Sequence, residues 1–217
     1  MGDGAAGVAG SAPFDRVHVT CGVTTVRQVW VRQTRPGGVI AFPWAPGFGD
    51  GHKVRLTVTG DGRAVGGFEG GASYMMLRSQ RSTGLGGPDD GGTRESRTWL
   101  DPRTITGDSY GADVAIAGML PDVLGAERTV GGRQALVLAD ASRTSWARCG
   151  YEPGASDFPV VQSGPRRLFD EVADAYLTWV GWGSPGRRRF GFTVGPEGQH
   201  LWRESPDNPI ARGDRRS

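Results

Sequence analysis

The sequence predicts an α/β protein in which a sheet-bearing amino-terminal part is followed by a smaller α+β domain. Three observations carry this. Phe14 to Val19 and Val39 to Phe42 are short, largely apolar runs of strand length, separated by Val26, Val29, Trp30 and Gln33 at helical spacing. Val54, Leu56 and Val58 alternate with Arg55, Thr57 and Thr59, as on a half-buried strand. Between Ser79 and Ser96 the only large apolar residue is Leu85, so the chain divides there.

Each element has a local reason. Thr20-Cys21-Gly22 breaks the first run as a strand-end loop does, so Phe14 to Val19 reads as a short buried strand. Arg35-Pro36-Gly37-Gly38 ends the helix and Val39 to Phe42 is the next strand. A strand-helix-strand order implies two neighbouring parallel strands. In such a sheet, ligands sit beyond the carboxyl ends of the strands, which directs attention to Thr20 through Thr24. The Asp61-Gly62 turn pairs the alternating strand with a second one through Val65, Phe68 and Tyr74 to Leu77, and Gly66-Gly67 and Gly70-Gly71 place a bulge or inserted loop within it.

Past the break, Val114 to Leu120 reads as helix, and Leu136 to Leu138 and Phe158 to Val161 as strands, with Ser145-Trp146-Ala147 between them. Arg166 to Trp182 is the clearest helix, with Leu168, Val172, Ala175, Tyr176 and Trp179 on one face. Phe190 to Val194 and Gln199 to Trp202 flank Pro196-Glu197-Gly198 as a hairpin. The expected organisation is a first domain over 1–78, a linker over 79–98, an accessory domain over 99–205 and a flexible tail over 206–217.

Composition narrows the function classes. Lys53 is the only lysine, so Arg166-Arg167 and Arg187-Arg188-Arg189 reflect a general arginine bias and read as solvated surface, not a nucleic-acid stripe. Cys21 and Cys149 match no zinc spacing and are too few to staple a secreted scaffold. The start lacks a signal-peptide pattern and no run reaches the length of a membrane span, so a soluble, cytoplasmic protein without membrane partners is expected. His18, His52 and His200 share no metal spacing, and neither a GxSxG elbow nor a P-loop occurs. Gly2 to Gly7 matches GxGxxG in form, but no strand precedes it. Trp146, Trp179, Trp182 and Trp202 read as core aromatics or, in the alternative, as the lining of a peptide groove.

A resemblance adds what composition does not. Gly2-Asp3-Gly4, Ala12-Pro13-Phe14-Asp15-Arg16-Val17, Val19-Thr20, Gln33 before Pro36-Gly37-Gly38, and Pro43 resemble, in order and gaps, the carboxyl-terminal half of a protein-L-isoaspartate O-methyltransferase domain. Ser145-Trp146-Ala147, Gln162 through Glu171 and Phe190 through Val194 resemble the extra domain of bacterial members found beside peptide-maturation systems. The resemblance implies a partial Rossmann-like S-adenosylmethionine-dependent methyltransferase sheet, its amino-terminal half missing. It implies a carboxyl O-methyltransferase, in truncated form, acting on isoaspartyl or aspartyl residues of proteins or ribosomal peptides. A non-catalytic peptide-binding or partner module derived from such an enzyme is the alternative.

By the same resemblance, Asp3 and Gly4 match the positions that bind the adenine of S-adenosylmethionine. Thr20, Cys21 and Gly22 match the loop that lies near the methyl donor and holds the acceptor by main-chain groups. Where many members have a proline shortly after this loop, this sequence has Thr24. The family's glycine-rich first loop and ribose-gripping acid are expected ahead of Met1, which leaves the first strand as an open edge and leaves either a misplaced start codon or a second chain to supply the missing half. Carboxyl methylation rests on positioning and needs no acid-base pair, so none is sought.

Overall fold

The computed structural model describes residues 4–82, 84–85, 92–107 and 109–210. The expected cofactor residue Asp3 lies outside them, with part of the expected linker and residues 211–217 of the tail. In chain order the first elements are β1 (Phe14–His18), α1 (Gln28–Arg32), β2 (Thr34–Trp44), β3 (His52–Val58), β4 (Ala64–Gly71) and β5 (Thr93–Thr98). There follow α2 (Pro102–Gly107), α3 (Tyr110–Met119), β6 (Val123–Val130), β7 (Arg133–Asp140) and β8 (Trp146–Gly150). The last are β9 (Phe158–Ser163), α4 (Leu168–Gly181), β10 (Phe190–Gly195) and β11 (Gly198–Arg203).

The chain forms two compact units. Residues 4–46, Asp50–Arg81 and Arg187–Ile210 make the first; Gly47–Gly49 and the described residues of Ser82–Gly186 make the second. The first holds a mixed sheet of order β1-β2-β3-β4-β10-β11. As the strand-helix-strand pattern implies, β1 runs parallel to β2, and every later pairing is antiparallel. The β1–β2 register shifts between Phe14 and Arg16, where Gly38 brings its backbone against the Asp15 carbonyl; a Cβ at Gly38 would sit 3.0 Å from that oxygen. The sheet has its bulge where glycines crowd β4: Lys53 pairs with Gly70 and Val54 with Phe68, leaving Glu69 unpaired.

The core of this unit is aromatic because β2, β3, β4 and β10 turn Phe42, Trp44, His52, Phe68 and Phe192 to one side. Phe42 meets Phe192 edge-on at 5.8 Å, and His52 meets Phe68 edge-on at 5.8 Å. Such edge-to-face pairs add about 0.5–1.5 kcal/mol beyond the area they bury. On β11 the Trp202 ring lies over Gly191, its cross-strand partner, and its indole N–H donates to Thr193 Oγ1 at 3.0 Å.

Several expectations are corrected. β1 is not the buried strand expected: none of its residues is buried, since it is the end strand of the sheet among the described residues, as the open-edge expectation has it. The helix is a single short turn, and Thr34 through Gly38 already belong to β2. Tyr74 through Leu77 do not continue β4. The β10–β11 hairpin pairs with β4, so the first unit includes residues expected in the accessory domain. Residues 206–210 fold back on β11, with Arg203 N–H bonded to the Asn208 carbonyl and Ile210 N–H to the Leu201 carbonyl.

The second unit holds an antiparallel sheet of order β5-β9-β8-β7-β6. Leu136, Leu138, Ala147, Cys149, Phe158 and Val160 are buried, and α2 and α4 pack against this sheet. Ser109 caps α3, its hydroxyl accepting from Gly111 N–H at 3.0 Å. The Gln162 side chain serves the start of α4 by accepting from Phe169 N–H at 2.8 Å. β5 occupies the end of the expected linker: Thr-Arg-Glu-Ser-Arg-Thr is a fully polar edge strand with no apolar alternation to betray it. No helix among the described residues is long and apolar enough to cross a membrane.

Candidate functional site

The chain leaving β1 is held as a short parallel extension of the sheet. Val19 N–H donates to the Ala41 carbonyl and Val23 N–H to the Pro43 carbonyl, each at 2.9 Å. On the other side Gly22 N–H donates to the Met75 carbonyl at 2.9 Å, and Leu77 N–H donates to the Gly22 carbonyl at 2.8 Å. Gly22 therefore lies between β2's end and residues 75–77. A Cβ at Gly22 would come 2.8 Å from Met76 Sδ, so a larger residue here would require the Met76 side chain to move.

Two glutamines fix the next residues. Gln80 Oε1 accepts from Thr24 N–H at 2.7 Å, Thr25 N–H at 3.0 Å and the Thr24 hydroxyl at 3.1 Å, while its Nε2 donates to the Thr25 carbonyl at 2.8 Å. Gln199 Oε1 accepts from Val26 N–H at 2.8 Å, and its Nε2 donates to the Thr24 carbonyl at 2.8 Å. The same carbonyl accepts the Trp44 indole N–H at 3.2 Å. Side-chain amides thus supply the order that a proline supplies elsewhere, and Thr24 participates in it. Neither glutamine is visible as functional in the sequence, since each lies more than fifty residues from its partners.

Accounting for this loop's donors leaves a short remainder. Val19, Gly22, Val23, Thr24, Thr25 and Val26 all spend their main-chain N–H groups. The N–H groups of Thr20 and Cys21 and the Thr20 hydroxyl bond to nothing among the described residues, and Thr20 is exposed. These are the groups free to hold a ligand. Cys21 is half-buried and burial raises its thiol above the ordinary range, so it is not poised as a thiolate nucleophile.

Gly4, the second expected cofactor position, begins a 3₁₀ turn. Its carbonyl accepts the Trp30 indole N–H at 2.9 Å and Gly7 N–H at 3.3 Å, and a Cβ added to it would meet nothing within 4 Å. The described residues here offer an open edge with its carbonyl already engaged, not an enclosure for a nucleoside. They do not form a complete cradle for S-adenosylmethionine. Of the expected site residues, Thr20, Cys21 and Gly22 are contiguous in the chain leaving β1, with Gly22 buried beside residues 75–77, Gly4 is tied to α1 through Trp30, and Asp3 lies outside the described residues.

Of the tryptophans, Trp179 is buried, with its indole N–H on the Pro185 carbonyl at 3.0 Å, and Trp202 belongs to the first unit. They serve as core and sheet residues.

Residues 1–79 match the sequence profile of the family described as protein-L-isoaspartate(D-aspartate) O-methyltransferase (PCMT). A protein-L-isoaspartate O-methyltransferase of Parvibaculum lavamentivorans is 42% identical over 64 residues, 29% of this chain and 29% of that protein. The matched stretch thus spans under a third of that relative's length. A solved structure of a protein-L-isoaspartate O-methyltransferase aligns with 94% of this chain and 58% of its own, at 15% identity and a TM-score of 0.42, a likeness too slight to argue from. Over residues 1–79 the chain is similar to the protein-L-isoaspartate O-methyltransferase family.

Proposed function

We propose that the chain acts in methyl esterification of isoaspartyl or aspartyl carboxylates in proteins or peptides, as the acceptor-binding part of an S-adenosylmethionine-dependent O-methyltransferase of partial Rossmann-like type. The observation that supports this most is the donor remainder of the loop after β1, because it falls within the family-matched residues. Thr20 N–H, the Thr20 hydroxyl and Cys21 N–H are three neighbouring donors on a pinned backbone. A carboxylate accepts such bonds with charge assistance, each worth about 1.5–3 kcal/mol.

The work asked of these residues is orientation. Gln80, Gln199 and the Met75–Leu77 backbone hold the loop so that ordering it costs little when an acceptor arrives. S-adenosylmethionine supplies an electrophilic methyl group when bound, and the acceptor is already ionised at neutral pH, so no protein base is required. Asp3 and Gly4 are the residues proposed to meet its adenine, and a second chain that completes the cofactor cradle is the proposed partner.

The test is isothermal titration of the chain with an isoaspartyl peptide and with its asparaginyl counterpart. The expected result is tighter binding of the isoaspartyl peptide, a preference reduced by about tenfold in Thr20→Val, which removes the hydroxyl at nearly constant volume. Equal affinity for both peptides, or binding of neither, overturns the reading of this loop as an acceptor site.

A further inference from the structure

The second unit's sheet has one face packed by helices and one without them. Register places Arg148 of β8 directly between Val137 of β7 and Val161 of β9 on the latter face. Beside it lies a shallow cavity of about 220 Å³, lined among others by Val130, Arg133, Arg148, Tyr151, Pro159 and Val161.

The acids around this groove are already engaged. Glu152 lies 3.5 Å from Arg133 and 3.5 Å from Arg97, and Asp157 lies 2.9 Å from Arg97. Asp101 pairs with Arg103 at 2.6 Å, and that guanidinium stacks on the Tyr151 ring at 3.6 Å. The Arg148 side chain forms no hydrogen bond or ion pair among the described residues. Glu95 shares its face, but Val161 stands between them in register, which puts them two strands, roughly 10 Å, apart. Arg148 is half-buried between two valines, and no acid among the described residues pairs with its guanidinium. This is the condition in which an incoming carboxylate gains most, in bidentate geometry.

We propose that this face binds an extended acidic peptide segment, with Arg148 receiving an aspartate or glutamate carboxylate and Val130, Pro159 and Val161 receiving the apolar side chain beside it. The site is independent of the acceptor loop and needs no methyl transfer. It gives the second unit the role of recruiting acidic peptides.

Fluorescence anisotropy of the full chain tests this with a fluorescein-labelled peptide of glycine, leucine and aspartate and its asparagine counterpart, at low salt. Wild type is expected to prefer the aspartate peptide by about tenfold or more, the equivalent of one charge-assisted contact. Arg148→Gln should abolish the preference, and Arg148→Lys, which keeps the charge without the fork, should retain part of it. Arg16→Gln, which removes an exposed charge from β1, should leave it intact. Circular dichroism establishes that each variant folds; if Arg148→Gln does not, Arg148→Lys decides. Equal affinity for both peptides, no binding of either, or an unchanged preference in the folded Arg148 variants overturns the proposal. Because the variant is Arg148, its failure is distinct from failure of the isoaspartyl preference at Thr20.

Discussion

Replacing Gln80 with alanine removes the side chain that holds Thr24 and Thr25. Four polar contacts converge on it, three of them on a single oxygen. An amide oxygen offers two lone pairs, so the set amounts to about two acceptor bonds and one donor bond. At a net ~0.5–1.5 kcal/mol each, discounted because Thr25 is exposed, the local cost is about 2 kcal/mol. That corresponds to roughly 30-fold faster opening of this loop. Amide hydrogen exchange at Thr24 and Thr25 reads it directly, while β3 amides, held in the middle of the sheet, should change far less. Gln80→Glu keeps the acceptor and loses the donor to Thr25, so it should fall between. Unchanged exchange at both residues in Gln80→Ala would refute the view that this amide orders the loop.

Three further outcomes follow from the same structure. Burial, with the Arg187 charge second, lowers His52 from 6.5 to about 4. In that window the unfolded chain binds the extra proton, so His52's contribution is complete above the unfolded value and lost as pH falls toward 4, by up to about 3 kcal/mol. Urea unfolding across these pH values should show a steeper slope for wild type than for His52→Leu; parallel curves would contradict it. A thiol reagent should label Cys21 in the native protein and spare Cys149, which is buried and pushed up to about 12, until denaturant is added. Arg166, whose side chain is 14% exposed, bonds Glu171 and reaches Asp122 at 3.1 Å. Arg166→Ala leaves both carboxylates without this cation and should lower urea stability by about 2 kcal/mol, below the range for fully buried pairs because water reaches the acids.

The parallel β1–β2 pair and the loop after it were legible because apolar run, helical spacing and turn residues agree locally. The strength of that loop's anchoring was not, because Gln80 and Gln199 look like ordinary polar residues until the chain folds them together. The same limit governs β10 and β11: the hairpin is a local signal, but its pairing with β4, Gly191 opposite Gly67 and Phe192 opposite Gly66, joins residues far apart in the chain. β5 escaped notice because an edge strand with exposed faces carries no apolar alternation. α4 and the strands Leu136 to Leu138 and Phe158 to Val161 were legible, since burying one face imposes its period on the residues. Of the site itself, Thr20 through Gly22 emerged from strand-end logic together with the family resemblance, whereas Arg148 became notable only when register set it between two valines.

The central claim is that the loop after β1 receives a carboxylate. Its most direct test is an amide-resonance titration of the chain with an isoaspartyl peptide and with the asparaginyl counterpart. The account predicts that the Thr20 and Cys21 amides shift with the isoaspartyl peptide alone, while Thr24 and Thr25, already bonded to Gln80, hold their positions. Shifts absent from Thr20 and Cys21, or equal for both peptides, would contradict it.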